Sequence, residues 1–78
     1  MNRLDVGKCF RIAQVKKGVS NRQLMDDFEV HRQQVHRWRH ARSMSTQKVE
    51  EFANYFGMNV FYFLKLGDRY EGLDTSNN

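Results

Sequence analysis

No proline occurs anywhere in the 78 residues, so helices have to be stopped by glycine and by capping residues. The stretches between those punctuation points carry a helical period. Asp5 can cap a helix from Val6 to about Lys17, where Lys16 and Lys17 suit a helix C-terminus and Gly18 supplies the residue beyond it. Val6, Phe10 and Ala13, joined by Ile12 and Val15, form its apolar stripe. Ser20 caps a short second helix, Asn21 to Phe28, with Leu24, Met25 and Phe28 facing inward. Glu29-Val30 reads as a tight turn, and His31 as a weak cap for a third helix from about Arg32 to Ala41. Ser43 or Ser45 opens a fourth helix running to about Phe56, with Val49, Phe52, Ala53 and Phe56 at i, i+3, i+4 and i+7, and Gly57 ends it. Asn59 caps a fifth from Val60 to Leu66, ended by Gly67. No segment alternates as a strand does. The expectation is an all-α fold of five helices in one domain over residues 1–67, followed by a polar, disordered tail at 68–78.

A chain this short builds a small core, and oligomerisation is a common further source of stability. The single cysteine, Cys9, rules out an internal disulfide and a Cys-rich zinc module; between Val6 and Phe10 it reads as a structural thiol. The N-terminal residues have no apolar core of a signal peptide, and the longest apolar run, Val60 to Leu64, is too short to span a bilayer. A soluble, cytoplasmic protein is expected.

The net charge of +4 is unevenly placed. Residues 1–30 carry six basic and four acidic groups, and residues 43–78 carry three basic and five acidic groups. Residues 31–42 carry four arginines, all three histidines and no acid. A solvated helix face normally mixes signs, so this segment points to a polyanionic partner.

The geometry of the third helix sharpens that reading. With Val35 set at 0° and about 100° per residue, Trp38 falls near 300° and shares its face. Gln33 falls near about 160°, His40 near about 140°, Arg37 near about 200° and His36 near about 100°. Val35 and Trp38 should therefore pack on the core, with Gln33, His36, Arg37 and His40 outward and Arg32 flanking them. Arginine matches guanine O6 and N7 with two hydrogen bonds, and glutamine matches adenine N6 and N7. A major groove about 12 Å wide accepts one helix. Two short helices joined by a tight turn, the second basic, form a helix-turn-helix. Ser20 at the start of its first helix leaves backbone N–H groups aimed at a phosphate, with Asn21 and Arg22 beside it.

The run Ser20-Asn21-Arg22-Gln23-Leu24-Met25, then Val30 to Trp38, resembles the phage Cro/repressor-type helix-turn-helix family, through Leu24, Val30, Val35 and Trp38. Val49, Phe52-Ala53 and Phe56 to Val60 resemble the family's fourth helix and the turn after it, so the resemblance covers about residues 6–66. It implies a lambda-repressor-like domain, usually dimeric, that controls transcription by binding double-stranded DNA. By matching position it implies that Arg32, Gln33 and Arg37 read bases and that Asn21 contacts phosphate. His36 joins the base-reading set, and Ser20, Arg22, Arg39, His40 and Arg42 join the backbone set. The chain departs from the family at Met25, usually a small residue, and at Glu29, usually glycine. It departs again at Gln14 and Arg39, where an Arg–Glu pair is usual, which predicts an Arg39 side chain released to contact phosphate.

Other chemistries find no support. No paired carboxylates, nucleophile–base constellation or phosphate-cradling loop is present, so no catalytic residue, cofactor or small-molecule ligand is expected. His36 and His40 have a spacing that can hold a metal, but no acid lies near them and four arginines do, so no metal is expected. The fifth helix cannot bury Phe61, Tyr62 and Phe63 on one side. With Tyr55 they predict a homodimer interface, which would place two recognition helices about 34 Å apart on a near-palindromic site. The alternative is an antitoxin- or anti-repressor-like adaptor that keeps the fold without specific DNA binding; it predicts acidic or apolar groups on the outward face of the third helix.

Overall fold

The computed structural model describes residues 5–69. These form five α-helices and, among the described residues, no strand: α1 Val6–Lys17, α2 Asn21–Phe28, α3 Arg32–His40, α4 Thr46–Tyr55 and α5 Val60–Arg69. None of these helices is long and apolar enough to cross a membrane. Apart from its first two residues, which continue α5, the tail expected at 68–78 lies outside the described residues.

The caps are those the sequence proposes, because each leaves an oxygen where the first turn has an unpaired N–H. Asp5 accepts from the Lys8 N–H at 3.1 Å, Ser20 from Gln23 at 3.1 Å, and Asn59 from Tyr62 at 2.7 Å. Of the two serines offered for α4, Ser45 is the cap, accepting from Lys48 at 3.2 Å. His31 has the extended backbone of a cap but makes no side-chain cap bond. Gly18, at φ 66°, ends α1 in the left-handed region.

Glu29 also sits in the left-handed region, at φ 54° and ψ 51°, where a side chain crowds its own backbone. The turn needs that conformation, because it lets the Val30 N–H reach the Met25 carbonyl at 3.1 Å. Glu29→Gly is therefore expected to stabilise the protein by about 1 kcal/mol, the relief of the left-handed penalty less the entropy glycine adds to the unfolded chain. Urea denaturation followed by circular dichroism checks this; an unchanged or lower midpoint contradicts it.

α1 is the central element, packed on α5 and α3, while α2 packs on α3 and α4 on α5. Phe10 is fully buried, with its ring centroid 4.7 Å from Phe52, 5.6 Å from Phe56 and 6.1 Å from Trp38. Phe52, Leu24, Val35, Phe63, Leu66 and Cys9 are fully buried with it.

Two expectations are corrected. Val15 does not join the α1 stripe; it is 77% exposed. Gly67 does not end α5, which runs on to Arg69. Its role is spatial, since a Cβ there would lie 3.2 Å from Cys9 Sγ. The Cys9 thiol is buried between α1 and α5 and donates to the Leu64 carbonyl at 3.4 Å.

Candidate nucleic-acid interface

α3 is held by its inner face and shows its outer face to solvent. Val35 and Trp38 are buried. The Trp38 ring packs 4.8 Å from Phe52 and 5.3 Å from Phe28, and the Lys48 ammonium lies 5.2 Å from its centroid. Arg32, Gln33, His36, Arg37 and His40 are all exposed, as the helical angles require. Concave surface borders this face: a depression of about 740 Å³ lies among Arg22, Met25, His31, Arg32 and Gln33, and another of about 430 Å³ among Arg32, Gln33, His36 and Arg37.

The other end of α3 is docked by backbone. The Val6 N–H donates to the Arg42 carbonyl at 3.2 Å and the Gly7 N–H to the Ala41 carbonyl at 2.6 Å. The first N–H groups of α1 thus find acceptors just beyond α3. This close crossing needs a glycine: a Cβ on Gly7 would lie 2.6 Å from the Ala41 oxygen and 2.7 Å from the Arg39 oxygen. Arg11 on α1 adds a guanidinium bond to the Arg39 carbonyl.

Arg39 does not stand free, contrary to the expectation drawn from the missing ion pair. Its Nη1 donates to Gln14 Oε1 and, at 3.5 Å, to Asn21 Oδ1. The partner of the Arg39 guanidinium is a neutral amide, so its positive charge is not cancelled. Partial desolvation, and then the charge of Arg11, lower the Arg39 pKa from its usual value.

His36 and His40 lie one turn apart with ring centroids 4.4 Å from each other. The His40 pKa is lowered, first by desolvation and then by His36, Arg11 and Arg39, with Asp5 acting the other way. Among the described residues no group of three or more His, Cys, Asp or Glu side chains is placed to share a metal ion.

The remaining backbone candidates are spread around α3. Ser20 Oγ is engaged as the α2 cap, and Asn21 follows it. Arg22 is exposed and lies 4.0 Å from Asp26, a contact worth little at such exposure. Arg42 is exposed on the bend after α3.

The aromatic candidates for a dimer contact separate into different roles. Phe63 is fully buried with its ring stacked 6.3 Å from Phe56, so it belongs to the core and is withdrawn from the interface set. Tyr55 is half-buried against Phe28 and Phe56, and its hydroxyl donates to Asp27 at 2.5 Å. Burial, with Asp27 adding to it, pushes the Tyr55 pKa up to about 12. Tyr62 is half-buried; Phe61 is 71% exposed, with the Lys65 ammonium 4.9 Å from its ring.

The sequence marked Gln14 only as a departure from the family pattern, without its bond to Arg39, and did not mark Gly7 or Arg11. A signal for Gln14 existed: it lies four residues after Phe10, on the apolar stripe, where a polar side chain must find partners inside the fold. Gly7 inside a helix was a weaker signal of close backbone approach. No family model, curated protein or solved structure matches the chain.

Proposed function

We propose that this protein is a sequence-specific double-stranded DNA-binding regulator of transcription, of the phage Cro/repressor type, with α2 and α3 as its helix-turn-helix. The observation that carries the reading is the outward face of α3, which presents Arg32, Gln33, His36 and Arg37 with no acid among them. A neutral or mixed-sign face would suit a protein partner or plain solvent. A face of arginine and amide donors suits base edges, and α3 is narrow enough to enter the groove. In this reading Arg32, Gln33 and Arg37 specify bases, with His36 at the edge. Ser20, Asn21, Arg22, Arg39, His40 and Arg42 hold the sugar-phosphate backbone. Two copies, meeting through the α5 surface around Phe61 and Tyr62, would read a near-palindromic operator, and the protein would act by occupying it.

Base-reading and phosphate-holding side chains predict different losses. Arg37→Ala is expected to cost about 1–3 kcal/mol on the preferred duplex and to relax preference at one position of each half-site. Arg42→Ala is expected to weaken every duplex alike and to reduce the salt slope by about one. Fluorescence-anisotropy titrations on preferred and shuffled duplexes, over a series of salt concentrations, separate the two. Equal weakening of both duplexes by Arg37→Ala would contradict its assignment.

A further inference from the structure

We propose that Gln14 is a positioning residue that joins Asn21 and Arg39 into a single clamp for one backbone phosphodiester of duplex DNA; the inference rests on the DNA-reading function proposed above. Gln14 is only 5% exposed, although it is polar and belongs to α1, which carries none of the outward groups of α3. Its amide is fully occupied. Nε2 donates to the Val19 carbonyl at 3.0 Å and to Asn21 Oδ1 at 3.0 Å, and Oε1 accepts from Arg39. Turning the amide over would set oxygen against two oxygens and nitrogen against a guanidinium, so its orientation is fixed.

That fixed amide sets the orientation of Asn21. Asn21 Oδ1 faces inward as the acceptor for Gln14 and Arg39, so its Nδ2 amino group is left to donate outward. Arg39 spends only Nη1 on these bonds, so the Nη2 and Nε N–H groups of its fork remain as donors. Asn21 and Arg39 line a depression of about 450 Å³ together with Gln14, Gly18, Val19 and Ser20. An anion seated there would be within reach of these donors, and its charge would offset the partial burial, and then the Arg11 charge, that lower the Arg39 pKa. In a DNA complex led by α3, the anion that can reach the start of α2 is a phosphodiester flanking the bases being read.

The test is a methylphosphonate scan of the preferred duplex, in which each phosphate in turn is made neutral, with wild-type protein, Asn21→Ala, Gln14→Leu and Gln14→Glu. Wild type is expected to lose about tenfold in affinity at one phosphate of each half-site. Gln14→Leu is expected to bind preferred and shuffled duplexes about tenfold more weakly and to become indifferent to neutralisation of that phosphate. Asn21→Ala should give the same indifference, and adding it to Gln14→Leu should cost little more. Gln14→Glu keeps an acceptor for Arg39 but sets an oxygen, in place of the donor that orients Asn21, against the Val19 carbonyl and Asn21 Oδ1, so it should show the same indifference and decides the matter if the leucine variant does not fold. Full sensitivity at that phosphate in the Gln14 variants overturns the clamp and leaves DNA reading standing. A wild-type protein that prefers no duplex overturns both.

Discussion

Trp38→Ala is expected to destabilise the protein by about 3–5 kcal/mol, the cost of emptying a large aromatic site in a packed core. Trp38 is buried against Phe10, Phe28 and Phe52, so its removal opens a void bounded by three rings on three other helices. Domains of ordinary size are stable by about 5–15 kcal/mol, and a domain this small sits toward the lower end. The variant should therefore unfold at a small fraction of the wild-type urea concentration. Trp38→Phe should recover part of the loss by keeping a ring against Phe52. Because Trp38 is the only tryptophan, circular dichroism is the appropriate probe. A loss below about 1 kcal/mol would show that α3 is not anchored through this residue.

The second large effect is expected at Gly7. A methyl group there would meet three backbone atoms, Ala41 O, Arg39 O and Ala41 N, all within 2.9 Å. Backbone cannot swing aside as a side-chain end can, so α1 and the end of α3 would have to separate. That would also break the bonds from the Val6 and Gly7 N–H groups to the Arg42 and Ala41 carbonyls. Gly7→Ala is expected to cost about 3 kcal/mol or more, well beyond the roughly 0.5–1 kcal/mol that alanine contributes as a better helix former. Gly67→Ala is the internal control. Its methyl would meet Cys9 Sγ at 3.2 Å and the Asp5 carbonyl at an ordinary 3.9 Å, and the same helix preference offsets most of the closer contact. Comparable urea midpoints for the two variants would contradict the close-crossing account.

The helices were legible in the sequence because their ends are written in local chemistry. Asp5, Ser20, Ser45 and Asn59 each cap the helix they precede, and Gly18 closes α1. The inward and outward faces of α3 followed from angle alone, since Val35 and Trp38 are its only strongly apolar residues. What local chemistry could not show is contact between helices. Gly67 looks like a helix stop until Cys9 is seen against it, and Phe61, Tyr62 and Phe63 cannot be sorted until the position of α1 is known. Gln14 and Arg39 are separated by 25 positions, so their hydrogen bond depends on how α1 and α3 cross.

The proposed function stands on α3 reading base sequence. Selection of binding sites from a random duplex library with the purified protein, followed by a salt titration of the best site, tests this. A short, near-palindromic motif with half-sites about one helical turn apart, bound far more tightly than random duplex, is expected. Uniformly weak binding with no enriched motif would contradict it, and would assign the basic face of α3 to a protein partner.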